Sequence, residues 1–320
     1  ATAGFADANA GTGIALTVTG LVVTGVDLAN YEVVYGSFTG DIEQKALIVT
    51  GVTATNRAYN GETGVVVDAA GAVLDVSGLV GADQVSLDDA SLADASGEMA
   101  DKNAGLGKNV TVSGLLLTGA GAANYKIEAT TTVDIAKASA TLSGVTAENM
   151  VYDGGVDATV SFAGAELSGI VTGDAVTVDP SGATGVFADK NVGTGITVTI
   201  AGAVLTGADA DNYDLVIEPI TADITPAALT VTGITAASKV YDGTTAATID
   251  VVAAALVGVV VGDIVVLDTT GAVGTFADAG DLAVTTTVTV TITGLVLTGA
   301  DAGNYTVTDP TTDAQILATP

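Results

Sequence analysis

The chain has 320 residues, 37 of them acidic and 8 basic, giving a formal net charge of -29, and it holds neither cysteine nor histidine. Disulfides, thiolate nucleophiles and cysteine-ligated zinc are thereby excluded, and with histidine goes the usual general base and transition-metal ligand. So acidic a surface repels nucleic-acid phosphates and anionic lipids, so no nucleic-acid partner is expected. Apolar residues make up 48% of the chain, too many for a disordered acidic polymer. Aromatics are only 4%, so the cores should be thin and aliphatic. The longest apolar run, Val251 to Val261, falls well short of the ~20 residues a membrane helix needs, and membrane insertion is not expected.

In chain order, the first pattern is GFADANAGTGIALTVTG from Gly4, followed by VDLANY ending at Tyr31. Both return three times. GEMADKNAGLGKNVTVSG from Gly97 precedes AGAANY, ending at Tyr125. GVFADKNVGTGITVTIAG from Gly185 precedes ADADNY, ending at Tyr213, and GTFADAGDLAVTTTVTVTITG from Gly274 precedes ADAGNY, ending at Tyr305. Two further markers occur in three copies each. NRAYNG, NMVYDG and SKVYDG carry Tyr59, Tyr152 and Tyr241; VGADQVSLD, VTGDAVTVD and VVGDIVVLD carry Asp83, Asp174 and Asp263. Copies of each marker lie about ninety residues apart, a period that signals a repeat architecture. The modules are therefore placed at 45–136, 137–225 and 226–316, with 317–320 as the start of a next linker. Residues 1–44 carry only the second half of a module. That half is either cut from a longer array or completed by strands from a neighbour, which would allow homopolymerisation by strand complementation with a donor such as Thr311 to Thr319.

Within a module, strand patterning dominates. Ala228–Thr235, Ile196–Gly202 and Thr285–Gly294 alternate small polar with β-branched residues, the period of half-buried strands. No ten-residue stretch has convincing helical spacing. Six or seven strands in about ninety residues make an all-β, Ig-like two-layer sandwich the expected fold. A β-grasp-like sheet is the alternative, because pattern alone does not fix strand order. The joins at Asp41, Asp134 and Asp223 contain no flexible tether, so tandem modules forming an elongated, semi-rigid rod are expected.

The recurring polar groups have local readings. Tyr59-Asn60-Gly61, Tyr152-Asp153-Gly154 and Tyr241-Asp242-Gly243 suit a tight hairpin turn, with glycine taking positive φ and the tyrosine hydroxyl reaching backbone. Asn60 in place of aspartate suits a turn and not a carboxylate with a chemical role. The pairs Asn30-Tyr31, Asn124-Tyr125, Asn212-Tyr213 and Asn304-Tyr305 read as turn anchors, the asparagine bonding its own backbone and the tyrosine entering the core. Asp209, Asp211 and Asp214 form the densest acidic cluster and are the place to look for calcium, the one cofactor the composition leaves open. Gly121 and Gly303 replace members of that cluster in other copies.

The segments GITAASKVYDGTTAATI, GTFADAG and GLVLTGADAGNYTVTDPTTDAQI resemble YDG-type repeat domains, close to the MBG-type repeats, of bacterial filamentous haemagglutinin-like surface adhesins. The resemblance runs across essentially the whole chain and rests on the turn residues and Asn-Tyr pairs named above. It implies an extracellular or cell-surface stalk or fibre-forming array with no catalytic residues to carry over. The alternative is an adhesive module that binds a host or cell-surface glycan or protein directly.

Overall fold

The computed structural model describes residues 1–280 and 285–318. Part of the fourth FAD marker (281–284) and the last two residues of the 317–320 segment, including Thr319 of the suggested donor strand, lie outside the described residues. The chain divides into two compact units. The first is Ala1–Ala140 with Gly169–Val176 and Thr206–Asp214; the second is Thr141–Ser168, Thr177–Leu205 and Leu215–Pro320.

In the first compact unit, residues 1–44 form three antiparallel strands, Thr2–Phe5, Gly11–Thr19 and Phe38–Ile42, with the second in the middle. The module that follows has a sheet ordered Gly64–Val65, Ser96–Met99, Gly105–Ser113, Tyr125–Ala136, Lys45–Thr50, Val73–Leu74. Arg57–Ala58 adds in parallel to the end of Tyr125–Ala136. That twelve-residue strand alternates buried and exposed positions, as its TTTVDI pattern dictates. Its inward residues join Val49, Val52, Val112 and Leu115 in one cluster and Leu47 and Val85 in another.

In the second compact unit, the 137–225 module contributes a five-stranded sheet ordered Met150–Val151, Ile220–Thr225, Gly193–Ala201, Thr184–Phe187, Asp157–Ala158. The 226–316 module repeats that order with Lys239–Val240, Thr311–Leu317, Thr286–Thr293, Val273–Phe276 and Ala246–Ala247. It adds a three-stranded sheet of Ala255–Val257, Ala227–Thr232 and Tyr305–Val307. Val231 of the smaller sheet packs with Ile292 of the larger, joined by Leu256 and Val307, so the two sheets face each other across an aliphatic core. The fold is all-β and tandem. The described helices are 3-10 turns of three to six residues, so no β-grasp helix is found among the described residues. In these two modules proline splits the strand that is continuous in the first: Pro219 follows Tyr213–Ile217, and Pro310 follows Tyr305–Val307. Proline supplies no ladder N–H, so each long strand breaks and its halves serve different sheets.

Two expectations change. The YDG turn is not a hairpin: the strands on either side of it, Met150–Val151 and Asp157–Ala158, lie at opposite ends of the five-strand order. The suggested donor is also committed, since Thr311–Leu317 pairs with Thr286–Thr291 on one side and Lys239–Val240 on the other. The apolar run at Val251 to Val261 holds a short strand, Ala255–Val257, and no helix.

Candidate functional site

The recurring tyrosines, asparagines and aspartates meet where one module abuts the next. In the first compact unit, the turn at Tyr59 is built by Asn60, whose Oδ1 accepts the Glu62 N–H at 3.0 Å, and by Gly61 at φ 80°. Arg57 braces it, donating to Asn60 Oδ1 and, at 2.6 Å, to the Glu62 carbonyl. Asp153 and Asp242 make the same turn bond, to the Gly155 N–H at 2.8 Å and the Thr244 N–H at 2.9 Å. Lys239 then takes the bracing role of Arg57, 2.8 Å from Asp242. This local frame holds the tyrosine ring against the edge of its sheet.

The sequence led us to expect the Tyr59 hydroxyl on backbone, and it is not there. It donates to Asp174 Oδ2, 115 residues away, at 2.7 Å. Tyr213 donates to the same oxygen at 2.7 Å and in turn accepts the Val171 N–H at 2.9 Å. The two rings meet edge to face, with centroids 5.4 Å apart. Lys102 donates to Asp174 Oδ1 and lies 3.2 Å from Asp209. The Asp174 side chain is only 2% exposed, a buried carboxylate with three donors around it.

The second compact unit repeats the constellation. Tyr152 and Tyr305 both donate to Asp263 Oδ2, at 2.8 and 2.6 Å, and their rings sit edge to face at 5.3 Å. Tyr305 accepts the Val260 N–H at 3.0 Å. The asparagines likewise bond across modules and not to their own turns. Asn212 Oδ1 accepts the Ala104 N–H at 2.9 Å while its amide donates to Asn103 Oδ1 at 3.2 Å. Asn304 does the same to Val192 and Asn191, and Asn124 to Ala10 and Asn9. The loop partners are held by the FAD aspartates: Asp7, Asp101 and Asp189 each accept the backbone N–H two residues on.

The remaining sequence-stressed positions sit outside this arrangement. Tyr31 is 75% exposed, and Asn30 lies in the exposed 3-10 turn before it. Tyr241 packs on the core beside Phe276, and among the described residues its hydroxyl has no hydrogen-bond partner. The acidic cluster does not converge. Asp209 faces Lys102 and accepts the Ala175 N–H, and no group of three carboxylates that could hold a metal ion occurs among the described residues. Asp83, Asp174, Asp263 and Lys102 are the joint residues that sequence reasoning passed over. Their signal was present, since the aspartates recur at the same place in every module.

These groups shape one another's charge. Burial would raise the Asp174 carboxyl, but hydrogen bonds from Lys102, Tyr213 and Tyr59 outweigh it and hold the group below the ordinary carboxylate range. The hydrogen bond from Tyr305, against the effect of burial, does the same for Asp263. Burial, and then the hydrogen bond to the carboxylate, pushes the Tyr213 and Tyr152 phenols up to about 12. The hydrogen bond to Asp174 raises the Lys102 ammonium. Unfolded tyrosine titrates near ~10, so the unfolded chain releases these protons first. The tyrosine contribution to stability should be flat below pH ~10 and fall by roughly 2–3 kcal/mol per raised phenol as pH climbs toward ~12. Unfolding followed across that range, against Tyr213→Phe, checks this; a profile that the substitution leaves unchanged would contradict it. At the acid end the sign reverses. The contribution of Asp174 is present above the unfolded carboxylate value of ~3.9 and is lost as pH falls through its lower folded value.

The model of the YDG domain matches residues 43–133, 136–222 and 225–313. The chain belongs to the YDG domain family. The tyrosine, the aspartate or asparagine and the glycine of the first two matched repeats are thus the residues that frame the joints just described. No curated protein sequence matches the chain. Among solved structures it is similar to FdeC, an adhesin of Escherichia coli, at 14% identity over 86% of this chain and 98% of that one, with a TM-score of 0.19. No helix among the described residues is long and apolar enough to cross a membrane.

Proposed function

We propose that these YDG repeats work as a non-catalytic array of a bacterial cell-surface or secreted adhesin, spacing or assembling extracellular material. The observation that carries this reading is where the polar groups go. In both complete joints the two tyrosines satisfy the aspartate and the asparagine bonds the FAD loop across the repeat boundary, which leaves none of them poised toward a substrate. Chemistry that recurs once per repeat and faces the next repeat serves coupling. Coupled neighbours are what a load-bearing or spacing array requires, since each module's stability then includes its interface with the next. The family's occurrence in filamentous haemagglutinin-like adhesins agrees with an extracellular setting, and a strong net negative charge keeps such arrays apart in solution.

Small-angle scattering on the purified chain tests the array reading. A compact chain of this length has a radius of gyration near ~20 Å. A spacer of coupled repeats should give a value well above that, and one near it would overturn the proposal. The direct-binding alternative predicts instead that the chain alone retains a glycan or host protein, and glycan-array retention at micromolar affinity would favour it.

A further inference from the structure

We infer that the tyrosine pair of each complete joint is a site of oxidative cross-linking, where a one-electron oxidant joins Tyr59 to Tyr213 and Tyr152 to Tyr305 as dityrosine. The inference stands on the joint geometry and holds whether or not the array serves as a spacer. Composition narrows what an oxidant meets. Cysteine and methionine are the usual oxidisable side chains. This chain has no cysteine, no tryptophan and two methionines, which leaves its eight tyrosines as the main donors of a single electron. Four of those eight are the joint residues.

Geometry then selects the partners. In the first compact unit both phenols donate to one oxygen, Asp174 Oδ2, each at 2.7 Å. The shared acceptor draws the ring carbons beside the two phenol oxygens toward the same point. The rings already meet edge to face, with centroids 5.4 Å apart. In the second compact unit Tyr152 and Tyr305 converge in the same way on Asp263 Oδ2, at 2.8 and 2.6 Å, with centroids 5.3 Å apart. The interplanar angles are 77° and 80°, so coupling requires one ring to tilt and neither to leave its place.

The surroundings favour the radical step. A phenol becomes a neutral radical only if its proton departs with the electron, and a carboxylate already at hydrogen-bond distance receives that proton directly. All four rings are nearly inaccessible, which keeps water and scavengers away and makes the partner ring the first reactant. The electron has a short way out. Tyr59 lies under Lys102, whose Nζ stands 5.8 Å from the ring centroid and whose side chain is 36% exposed.

Each ring gives up one electron and its hydroxyl proton, the proton passing to the aspartate and on to water. A carbon–carbon bond forms between the positions beside the two oxygens. The hydrogens on those carbons then move to the oxygens, restoring both phenols. The net loss is two electrons and two protons. Two equivalents of a one-electron oxidant, of the peroxide-activated haem class, take up the electrons. The product ties together positions far apart in sequence, as a disulfide would in a chain that had cysteine.

The test exposes the full chain to photo-generated tris(bipyridine)ruthenium(III), with persulfate as the final electron acceptor. Products are mapped by proteolysis and mass spectrometry. The cationic oxidant is drawn to a chain of net charge -29. Expected are cross-linked peptides joining Tyr59 to Tyr213 and Tyr152 to Tyr305, each lighter by two hydrogens, with dityrosine fluorescence. Held in contact, these pairs should exceed every other tyrosine pair by about tenfold or more, and unfolding in urea should abolish that preference. Tyr59→Phe should remove the first link and leave the second, and Tyr152→Phe the reverse, so each joint controls for folding at the other. Cross-linking confined to the exposed Tyr31 and Tyr35, oxidation without a joint link, or a preference that persists in urea would overturn the inference.

Discussion

Asp174→Ala should lower the stability of the first compact unit by about 3 kcal/mol, because it removes the acceptor shared by two buried phenols and a lysine. The cost comes less from the bonds lost than from the donors left behind. Tyr59 and Tyr213 are nearly inaccessible, so water cannot replace the carboxylate at their hydroxyls without opening the joint. Asp174→Asn should cost roughly half as much. An amide oxygen still accepts from the phenols but no longer neutralises Lys102. The loss should be local to the joint, with amide exchange rising first at Tyr59 and around Val171. Asp83→Ala is the internal comparison: Asp83 serves one tyrosine instead of two, and its removal should cost less.

The second large effect lies in the core. Phe187→Ala should cost about 3–5 kcal/mol, since the ring is 2% exposed and packs in one cluster with Tyr152, Val198 and Ile224. Few large side chains exist in this chain to collapse into the space. Phe5 occupies the same place in its own FAD marker, yet Phe5→Ala should cost under ~1 kcal/mol, because that ring has no opposing layer. Urea unfolding of the two variants, compared at constant m, measures the contrast. Equal costs would mean that residues 1–44 are as fully packed as a complete repeat.

The all-β class was legible because its cause is local: alternation of threonine with valine and isoleucine is enough to define a half-buried strand. The turn chemistry was legible for the same reason, as Asx bonding and a positive-φ glycine depend on adjacent residues. What the turn connects was not, because an Asp-Gly turn between paired strands and one between opposite sheet edges read alike. The joints were hidden for a different reason. Tyr59 and Asp174 are marker residues of different kinds in successive repeats, and a marker fixes a position within its own module without naming its partner in the next. The prolines illustrate the middle ground. Pro219 and Pro310 could have told that two of the three long strands break, since a ladder cannot run through them.

The most direct measurement is a double-mutant cycle on Tyr59→Phe and Asp174→Ala in the full chain, read by hydrogen exchange at the joint. If successive repeats are latched by a tyrosine on its neighbour's carboxylate, removing the hydroxyl should matter only while the carboxylate is present, giving a coupling energy of about 1–2 kcal/mol. Costs that simply add, within about 0.3 kcal/mol, would show that the repeats touch without holding one another.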